Sequence, residues 1–364
     1  MIGPLFVPWG VGAWDLITGL LFGNFLAVLS WRFVTATVAT GTRETLYFKL
    51  EQICGRKLAV LYNVANGVLF FFLAGSMITV SSTAIGVPFP SMEMPTFADL
   101  YPTGMVAWTI AGIATGLVIT LVTVRGYAFV AQMSNVAAPW MLLNFVACGI
   151  VTLGKLNTTD VIALLEPAPG TEQKIGFGGI VFFSWFCNAA MHIGMADMSV
   201  LRLAQKPSSG WAAAAGMYLG HYVAWICAAL LLVYWVRARG ADPIEGVAPG
   251  PMVFDAVGWA GIIGVIIAGW TTANPTIYRA GLAFQGAVKK LTRPQATILA
   301  GLVSTAAGIF PAFAMNLLGF VGIYGTILAP PLERSSLPPT SSQRASVFRP
   351  SPLAKLESRS IGMY

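Results

Sequence analysis

Charged side chains are scarce in this sequence. They make up 10% of the 364 residues, and hydrophobic side chains make up 56%, whereas an ordinary soluble domain is about 25% charged. Histidine occurs only twice, which excludes a histidine-rich metal cluster. The four cysteines form no Cys-x-x-Cys pair, so we expect small core side chains and neither disulfides nor metal ligands. The composition excludes the soluble globular classes.

Signatures of catalysis are missing as well. The chain has no Walker A motif, no His-Glu-x-x-His motif, no hydrolase nucleophile elbow and no paired carboxylates, so we expect it not to be an enzyme. Its net charge of +7 indicates membrane orientation, and no nucleic acid is expected as a partner. Met1 is followed directly by apolar residues, which does not fit a cleavable signal peptide.

Long apolar runs are what the chain does have. A helix that spans a bilayer needs about 20 apolar residues, and eight runs are long enough, which predicts an all-α polytopic membrane protein. Two small-residue spacings, Gly112-x-x-x-Gly116 and Gly216-x-x-x-Gly220, predict close helix packing. The runs are 14–36, 58–80, 103–124, 128–153, 177–200, 211–236, 256–286 and 295–313, with short apolar stubs at 2–13 and 316–330.

The loops between these runs differ in charge. Lys and Arg concentrate in one alternating set of loops, and the acidic residues lie mainly in the other. By the positive-inside rule the first set is cytoplasmic, which predicts a multi-pass protein of the cell inner membrane or plasma membrane. The cytoplasmic set is 37–57, the turn after 124, 201–210 and 287–294; the external set is 81–102, 154–176 and 237–255.

The run 256–286 contains a polar interruption. Gly269, Thr271, Thr272, Asn274 and Pro275 stand in an otherwise apolar span. Proline removes a backbone donor and frees a carbonyl one turn earlier, and freed carbonyls with two hydroxyls could hold Na⁺. Alternatively, the threonine hydroxyls bond back to the preceding turn and Pro275 only kinks the helix. The residues alone leave both interpretations open.

A second interruption lies within 183–202. Trp185 could stack on a planar ligand, and Asn188 is a polar position among apolar ones, although aromatic side chains are also ordinary core residues. His192 could be a packed core histidine or a proton carrier. Asp197 is expected near the cytoplasmic end of its helix, where it would pair with a cation or cap the helix.

A third candidate segment is 62–78. It places Phe70, Phe71 and Phe72 after two asparagines. One of these rings could wall a binding site, and packing against lipid or core is the alternative.

These segments resemble one known family. The stretch WTTANPTIYRAGLA from Trp270 is similar to a helix of bacterial cytosine permeases, and 15–53 resembles the second helix and following loop of the same proteins. Asp197 followed by Arg202, and the stretch 319–330, add support. Over about 2–330 the chain resembles the nucleobase–cation symporters, which include purine/cytosine permeases and hydantoin or allantoin transporters.

The resemblance implies a LeuT-like inverted-repeat transporter fold. In such a fold, broken helices one and six meet helices three and eight around a midplane site. The implied cation ligands are the Ala268 carbonyl and the hydroxyls of Thr271 and Thr272. The implied coupling ion is Na⁺ or H⁺, and the implied partners are a nucleobase-like substrate and the bilayer, with no cofactor. The substrate-binding candidates are Phe70, Trp185, Asn188 and Asn274.

The chain departs from the family pattern in places. Phe70-Phe71-Phe72 replaces a common Trp-Phe-Gly, and Ala273-Asn274 replaces asparagine followed by an acidic residue. We expect a transporter domain at 1–330, incomplete at both ends, with about eight full helices plus partial first and tenth helices. The Ser/Pro/Arg-rich tail 331–364 is either disordered or frameshifted. Alternatives are a non-transporting membrane remnant or interaction protein, and a symporter for another small solute such as an amino acid.

Overall fold

The computed structural model describes residues 10–89, 95, 99, 105–157, 175–188, 197–240 and 248–312. The predicted stub at 2–13 is therefore described only from residue 10, and His192, the stub at 316–330 and the tail 331–364 lie outside the described residues. Within them the protein is all-helical. The α-helices are α1 Ala13–Ser30, α2 Ala36–Thr42, α3 Leu46–Gly86, α4 Val106–Val124, α5 Tyr127–Lys155, α6 Phe177–Asn188, α7 Met198–Leu201, α8 Gly210–Arg239, α9 Pro249–Val257, α10 Trp259–Ala287 and α11 Arg293–Gly308.

The first span is longer than the predicted run 14–36. A π-helical segment, Trp31–Thr35, joins α1 to α2, so one helical rod runs from Ala13 to Thr42. The rod stops at Arg43, which adopts the left-handed conformation with φ of 60°. The additional helical residues belong to α2, whose small apolar and threonine side chains extend the helix beyond the predicted end.

The predicted cytoplasmic loop 37–57 contains a helix. The segment 46–54 is the first part of α3, and Gly55, with φ of 78° and ψ of 166°, breaks it from the long spanning part. Glycine tolerates this conformation because it has no Cβ. A comparable break corrects the predicted run 256–286, because Gly258 at φ of 67° separates α9 from α10.

Among the residues that the structure describes, six helices are long and apolar enough to cross a membrane. They correspond to six of the eight predicted runs, and they make this a multi-pass membrane protein. The other two runs, 177–200 and 295–313, contain α6 and α11, whose described parts are 12 and 16 residues long. The six spans are Ala13–Thr42, Leu46–Gly86, Val106–Val124, Tyr127–Lys155, Pro207–Arg239 and Trp259–Ala287.

Glycines let α3 and α10 approach closely. A Cβ at Gly269 of α10 would lie 1.9 Å from the Ser81 hydroxyl and 2.7 Å from the Met77 carbonyl oxygen, both on α3. The predicted close packing is confirmed at Gly116, where a Cβ would lie 2.2 Å from the Thr305 hydroxyl of α11. It is wrong for the second spacing, because no atom of the described structure lies within 4 Å of a Cβ at Gly216 or Gly220.

Two buried clusters flank α3. The first, here the α1 cluster, joins α1, α2, α3, α7 and α8 and includes Trp31, Leu69 and Met198. The second, here the α10 cluster, joins α3, α4, α10 and α11 and includes Phe70. Leu73 packs against both clusters. Helix α3 therefore stands between the two groups of candidate site residues.

Candidate transport site

The predicted cation ligands lie on one stretch of α10. The Thr271 hydroxyl donates to the carbonyl oxygens of Ile267 at 3.0 Å and Ala268 at 3.1 Å, and it lies 3.5 Å from the Met141 sulfur of α5. The back-bonded interpretation of Thr271 therefore describes this conformation. The same contact brings two of the three predicted ligand groups, the Ala268 carbonyl and the Thr271 hydroxyl, within 3.1 Å of each other.

Pro275 sits inside α10 without ending it. Because proline has no N–H, the Thr271 carbonyl receives no backbone hydrogen bond from position 275. One residue later, the Thr276 hydroxyl donates to the Thr272 carbonyl at 2.6 Å. Ala268, Thr271 and Thr272 are all partly exposed. This partly exposed face of α10 thus carries hydroxyl oxygens and a carbonyl that lacks its usual helical N–H donor.

Asn274 lies on the same helix but is engaged elsewhere. It is buried, and its Oδ1 accepts a hydrogen bond of 3.0 Å from the Thr123 hydroxyl of α4. The Thr123 hydroxyl also lies 2.8 Å from the Ile119 carbonyl oxygen. Asn274 is therefore held against α4 in this conformation.

Phe70 is a core residue in this conformation. Its side chain is 1% exposed and belongs to the α10 cluster, which also contains Ala273 and Ile277. The neighbouring Phe71 stacks on Phe284 of α10, with ring centroids 4.7 Å apart. Two of the three phenylalanines therefore serve the α3–α10 interface, and any ligand contact of Phe70 requires the surrounding side chains to move.

Trp185 and Asn188 lie on the other side of α3. The Asn188 amide donates to Oδ1 of Asn24 on α1 at 2.8 Å and to the Ser184 carbonyl at 2.9 Å. Trp185 is partly buried and packs against the α1 cluster. The structure thus brings Asn188 together with Asn24, which sequence reasoning missed. The available signal was an asparagine inside the apolar run LLFGNFLAVL.

A buried ion pair ties α10 to the segment that follows α6. Asp197, in the turn before α7, pairs with Arg279 of α10, and their side chains are 5% and 13% exposed. The expected pairing of Asp197 is thus found with Arg279 of a distant helix. Arg279 lies in the family-like stretch that begins at Trp270, and no role was predicted for it.

Two arginines hydrogen-bond to the ends of α7 and α10. Arg43 donates to the Arg202 carbonyl at 2.9 Å, which joins the end of α2 to the end of α7. Arg56 donates to the carbonyls of Gly286 at 2.8 Å and Ala287 at 2.5 Å, the last residues of α10. Arginine near a helix C-terminus satisfies carbonyls that lack partners. The connection 43–56 therefore bridges α7 and α10 on the side predicted to be cytoplasmic.

A second cluster of charged side chains lies at the C-terminal ends of α5 and α8, on the side predicted to be external. Asp255 of α9 accepts from the Tyr234 hydroxyl at 3.0 Å and pairs with Arg239, and the Lys155 ammonium lies 3.3 Å from the Asp255 carbonyl oxygen. Burial raises the pKa of the Asp255 carboxyl, but hydrogen bonds from Arg239 and Tyr234 and the charges of Arg239 and Lys155 outweigh it. The net pKa lies below the ordinary value.

Metal binding by side-chain clusters finds no support in the part of the chain that the structure describes. No group of three or more His, Cys, Asp or Glu side chains is placed to hold a metal ion there.

Solved transporter structures resemble this architecture. Mhp1, a nucleobase-cation-symport-1 family transporter in a closed conformation with bromovinylhydantoin bound, matches with a TM-score of 0.63 at 15% identity, covering 97% of this chain and 79% of that one. A Na⁺-coupled sialic acid symporter in a substrate-bound outward-open state gives 0.57 at 15% identity, covering 92% and 78%. MhsT in complex with L-phenylalanine gives 0.58 at 15% identity, covering 98% and 97%.

The chain has the LeuT transporter fold. At 15% identity the likeness shows the fold and leaves the substrate open. No protein-family model matches the chain, and a search of the curated proteins finds no relative. Within this LeuT fold, Asn24 and Asn188 lie on one side of α3, and Asn274, together with Phe70 of α3 itself, lies on the other.

Proposed function

We propose that this chain is a cation-coupled symporter for a nucleobase or a related planar heterocycle, such as cytosine, a purine, allantoin or a hydantoin. The observation that carries the proposal is the oxygen pair of Ala268 and Thr271 on a partly exposed face of α10, in a chain with a LeuT fold. The family-like stretch from Trp270 supports the substrate class. The membrane would be the cell inner membrane or plasma membrane.

We propose Na⁺ as the coupling ion, with H⁺ as the alternative. The Ala268 carbonyl and the hydroxyls of Thr271 and Thr272 would supply neutral oxygen ligands to Na⁺, which transporters take from helix carbonyls and hydroxyls. Coordination would use a lone pair of the Thr271 oxygen, so the hydroxyl could still donate its proton to a backbone carbonyl. The Thr271 carbonyl, which Pro275 leaves without an N–H donor, adds a further candidate oxygen.

The substrate would lie beside α3. Trp185 would stack on the planar ring, and the Asn188 amide would exchange its hydrogen bond with Asn24 for one to the ring. Asn274 and Phe70 lie on the opposite side of α3 from this pair, so they would join the site only after a rearrangement about α3, in which Asn274 exchanges Thr123 for the substrate. Each exchange replaces one hydrogen bond by another, so the amides remain satisfied in both states.

Coupling would follow from different affinities in two conformations. A ligand shifts a conformational equilibrium only through its differential affinity for the two states. In the conformation described here, the Asp197–Arg279 pair and the arginines at 43 and 56 join the ends of α7 and α10. Release toward the cytoplasm would require these contacts to separate, and we assign them that role.

Uptake by the purified chain in proteoliposomes tests the proposal. Radiolabelled cytosine, uracil, hypoxanthine, allantoin and a hydantoin are supplied with an inward Na⁺ gradient, an inward proton gradient or neither. We expect one of these rings to be taken up against its gradient. The double variant Thr271→Ala/Thr272→Ala should abolish stimulation by Na⁺, because it removes both candidate hydroxyl ligands. Unchanged Na⁺ stimulation would contradict the ion site.

The matched control is Thr109→Ala. The Thr109 hydroxyl is also back-bonded, to the Met105 carbonyl at 3.0 Å, but it lies at the start of α4. The control should leave uptake unchanged. L-phenylalanine and sialic acid belong in the substrate panel, because similar solved structures hold or transport them. Uptake of only these solutes would overturn the nucleobase class, and no uptake by folded protein would favour the non-transporting alternative.

A further inference from the structure

Arg32 lies toward the end of the first predicted membrane run, 14–36, that is expected to face the cytoplasm. About 20 residues separate it from Ala13, which at 1.5 Å per residue is about 30 Å, the thickness of the hydrocarbon core. It sits in the π-helical segment and packs beside the start of α8, because a Cβ at Gly210 would lie 3.5 Å from its Cδ. By this count we expect Arg32 near the membrane boundary on the side predicted to be cytoplasmic.

Two aromatic rings surround the guanidinium group. Its Cζ lies 5.2 Å from the ring centroid of Phe33 and 5.7 Å from that of Trp211. The two rings meet edge to face at 5.8 Å and are 59% and 46% exposed. Aromatic side chains concentrate at the membrane interface, where their rings reach both headgroups and acyl chains. The three side chains form one surface, here the Arg32 surface.

The charge of Arg32 is not matched within the part of the chain that the structure describes. Arg32 has no acidic partner and no hydrogen bond there, and its Nε atom is buried without a partner. Arg43, Arg56 and Arg279, by contrast, all bind carbonyls or a carboxylate. The N-terminal end of α8 adds the positive end of a helix dipole at the same place. Positive potential and donor groups thus converge at a lipid-facing edge.

We propose that the Arg32 surface binds the headgroup phosphate of an acidic phospholipid in the cytoplasmic leaflet. The planar guanidinium presents paired donors that match phosphate oxygens. Phe33 and Trp211 would pack against the glycerol and upper acyl region of the same lipid. Lys206, exposed in the turn before Pro207, would add attraction to a negatively charged headgroup. This inference is independent of the transport proposal.

Native mass spectrometry of the detergent-purified chain tests this site. The protein is titrated with phosphatidylglycerol and with phosphatidylcholine of the same acyl chains. We expect phosphatidylglycerol to be retained preferentially. Arg32→Gln should lower its retention about tenfold, as expected for the loss of charge-assisted hydrogen bonds, and should leave phosphatidylcholine unchanged. Equal retention of the two lipids by the unaltered chain would overturn the proposal.

Arg125→Gln is the matched control. Arg125 is another arginine over an aromatic ring on the predicted cytoplasmic side, 5.0 Å from the Phe129 centroid, and it is exposed whereas Arg32 is partly buried. The Arg125→Gln substitution also removes one positive charge but leaves the Arg32 surface unchanged, so the lipid preference should stay intact. An equal loss in both variants would show general surface charge and would overturn the site.

Two further variants keep the test decisive if Arg32→Gln does not fold. Arg32→Lys keeps the charge and loses the paired donors, so it should retain part of the preference. Trp211→Ala removes one ring and should weaken retention of phosphatidylglycerol more than the Arg125→Gln control does. Preference equal to that of the unaltered chain in both variants would also overturn the proposal.

Discussion

Helices α10 and α8 have nearly the same length and both qualify as membrane spans, yet they occupy different places in the bundle. The apolar window of α8 is the more hydrophobic of the two, but 17% of it is buried inside the protein, against 50% for α10. Helix α10 packs on α3 through glycines and holds a buried ion pair. Hydropathy therefore identifies a membrane span, whereas small residues and paired charges identify which span lies at the centre of the helix bundle.

The charges of the two helices give the largest expected difference. Asp197→Asn leaves Arg279 of α10 buried beside a neutral amide, and breaking a buried pair costs about 3–5 kcal/mol. We expect a large fall in thermal stability in detergent. The comparison is Arg239→Gln, which removes a 57% exposed partner at the end of α8 and should have a much smaller effect.

A double variant tests whether the loss of stability comes from the unpaired charge of Arg279 or from the changed side chain at position 197. Asp197→Asn combined with Arg279→Gln removes both charges and should recover most of the lost stability. An Asp197→Asn variant as stable as Arg239→Gln would contradict the difference between α10 and α8.

The glycines of the two helices give the second difference. Gly269→Ala places a methyl group 1.9 Å from the Ser81 hydroxyl and 2.7 Å from a backbone oxygen of α3. Overpacking of this kind typically costs about 1–3 kcal/mol. Gly216→Ala meets no atom of the described residues within 4 Å, and alanine favours the helix by about 0.5–1 kcal/mol. Thermal unfolding should therefore shift in opposite directions, and a loss of stability in both variants would refute the proposed packing difference.

The sequence predicted the elements that the bilayer dictates. Six of the eight predicted apolar runs are spans in the described residues, because a membrane sets the length of such a run. It could not reveal the breaks at Gly55 and Gly258, because hydropathy does not report backbone dihedral angles. It also could not separate Gly116, which packs, from Gly216, which does not, because both spacings read alike.

The candidate site was predictable only in part. Local chemistry gave the back-bond of Thr271 as one of two interpretations, because its partners lie three and four residues away. The partners of Asn188 and Asp197 are 164 and 82 residues distant. Only the folded arrangement of α1, α6 and α10 brings those groups together, so single-chain reasoning named one member of each pair.

The smallest expected difference is a pH dependence at the external end of α8. Because the folded-state pKa of Asp255 is lowered, its ionised form stabilises the fold above the ordinary value of 3.8. That contribution is lost as the pH falls through the lowered pKa. The melting temperature of the unaltered chain should exceed that of Asp255→Asn at pH 7, and the gap should close toward pH 3. A gap that widens on acidification would contradict this sign. Asp255 reaches solvent, so the gap at pH 7 should stay below the loss caused by Asp197→Asn, whose partner Arg279 is buried within α10.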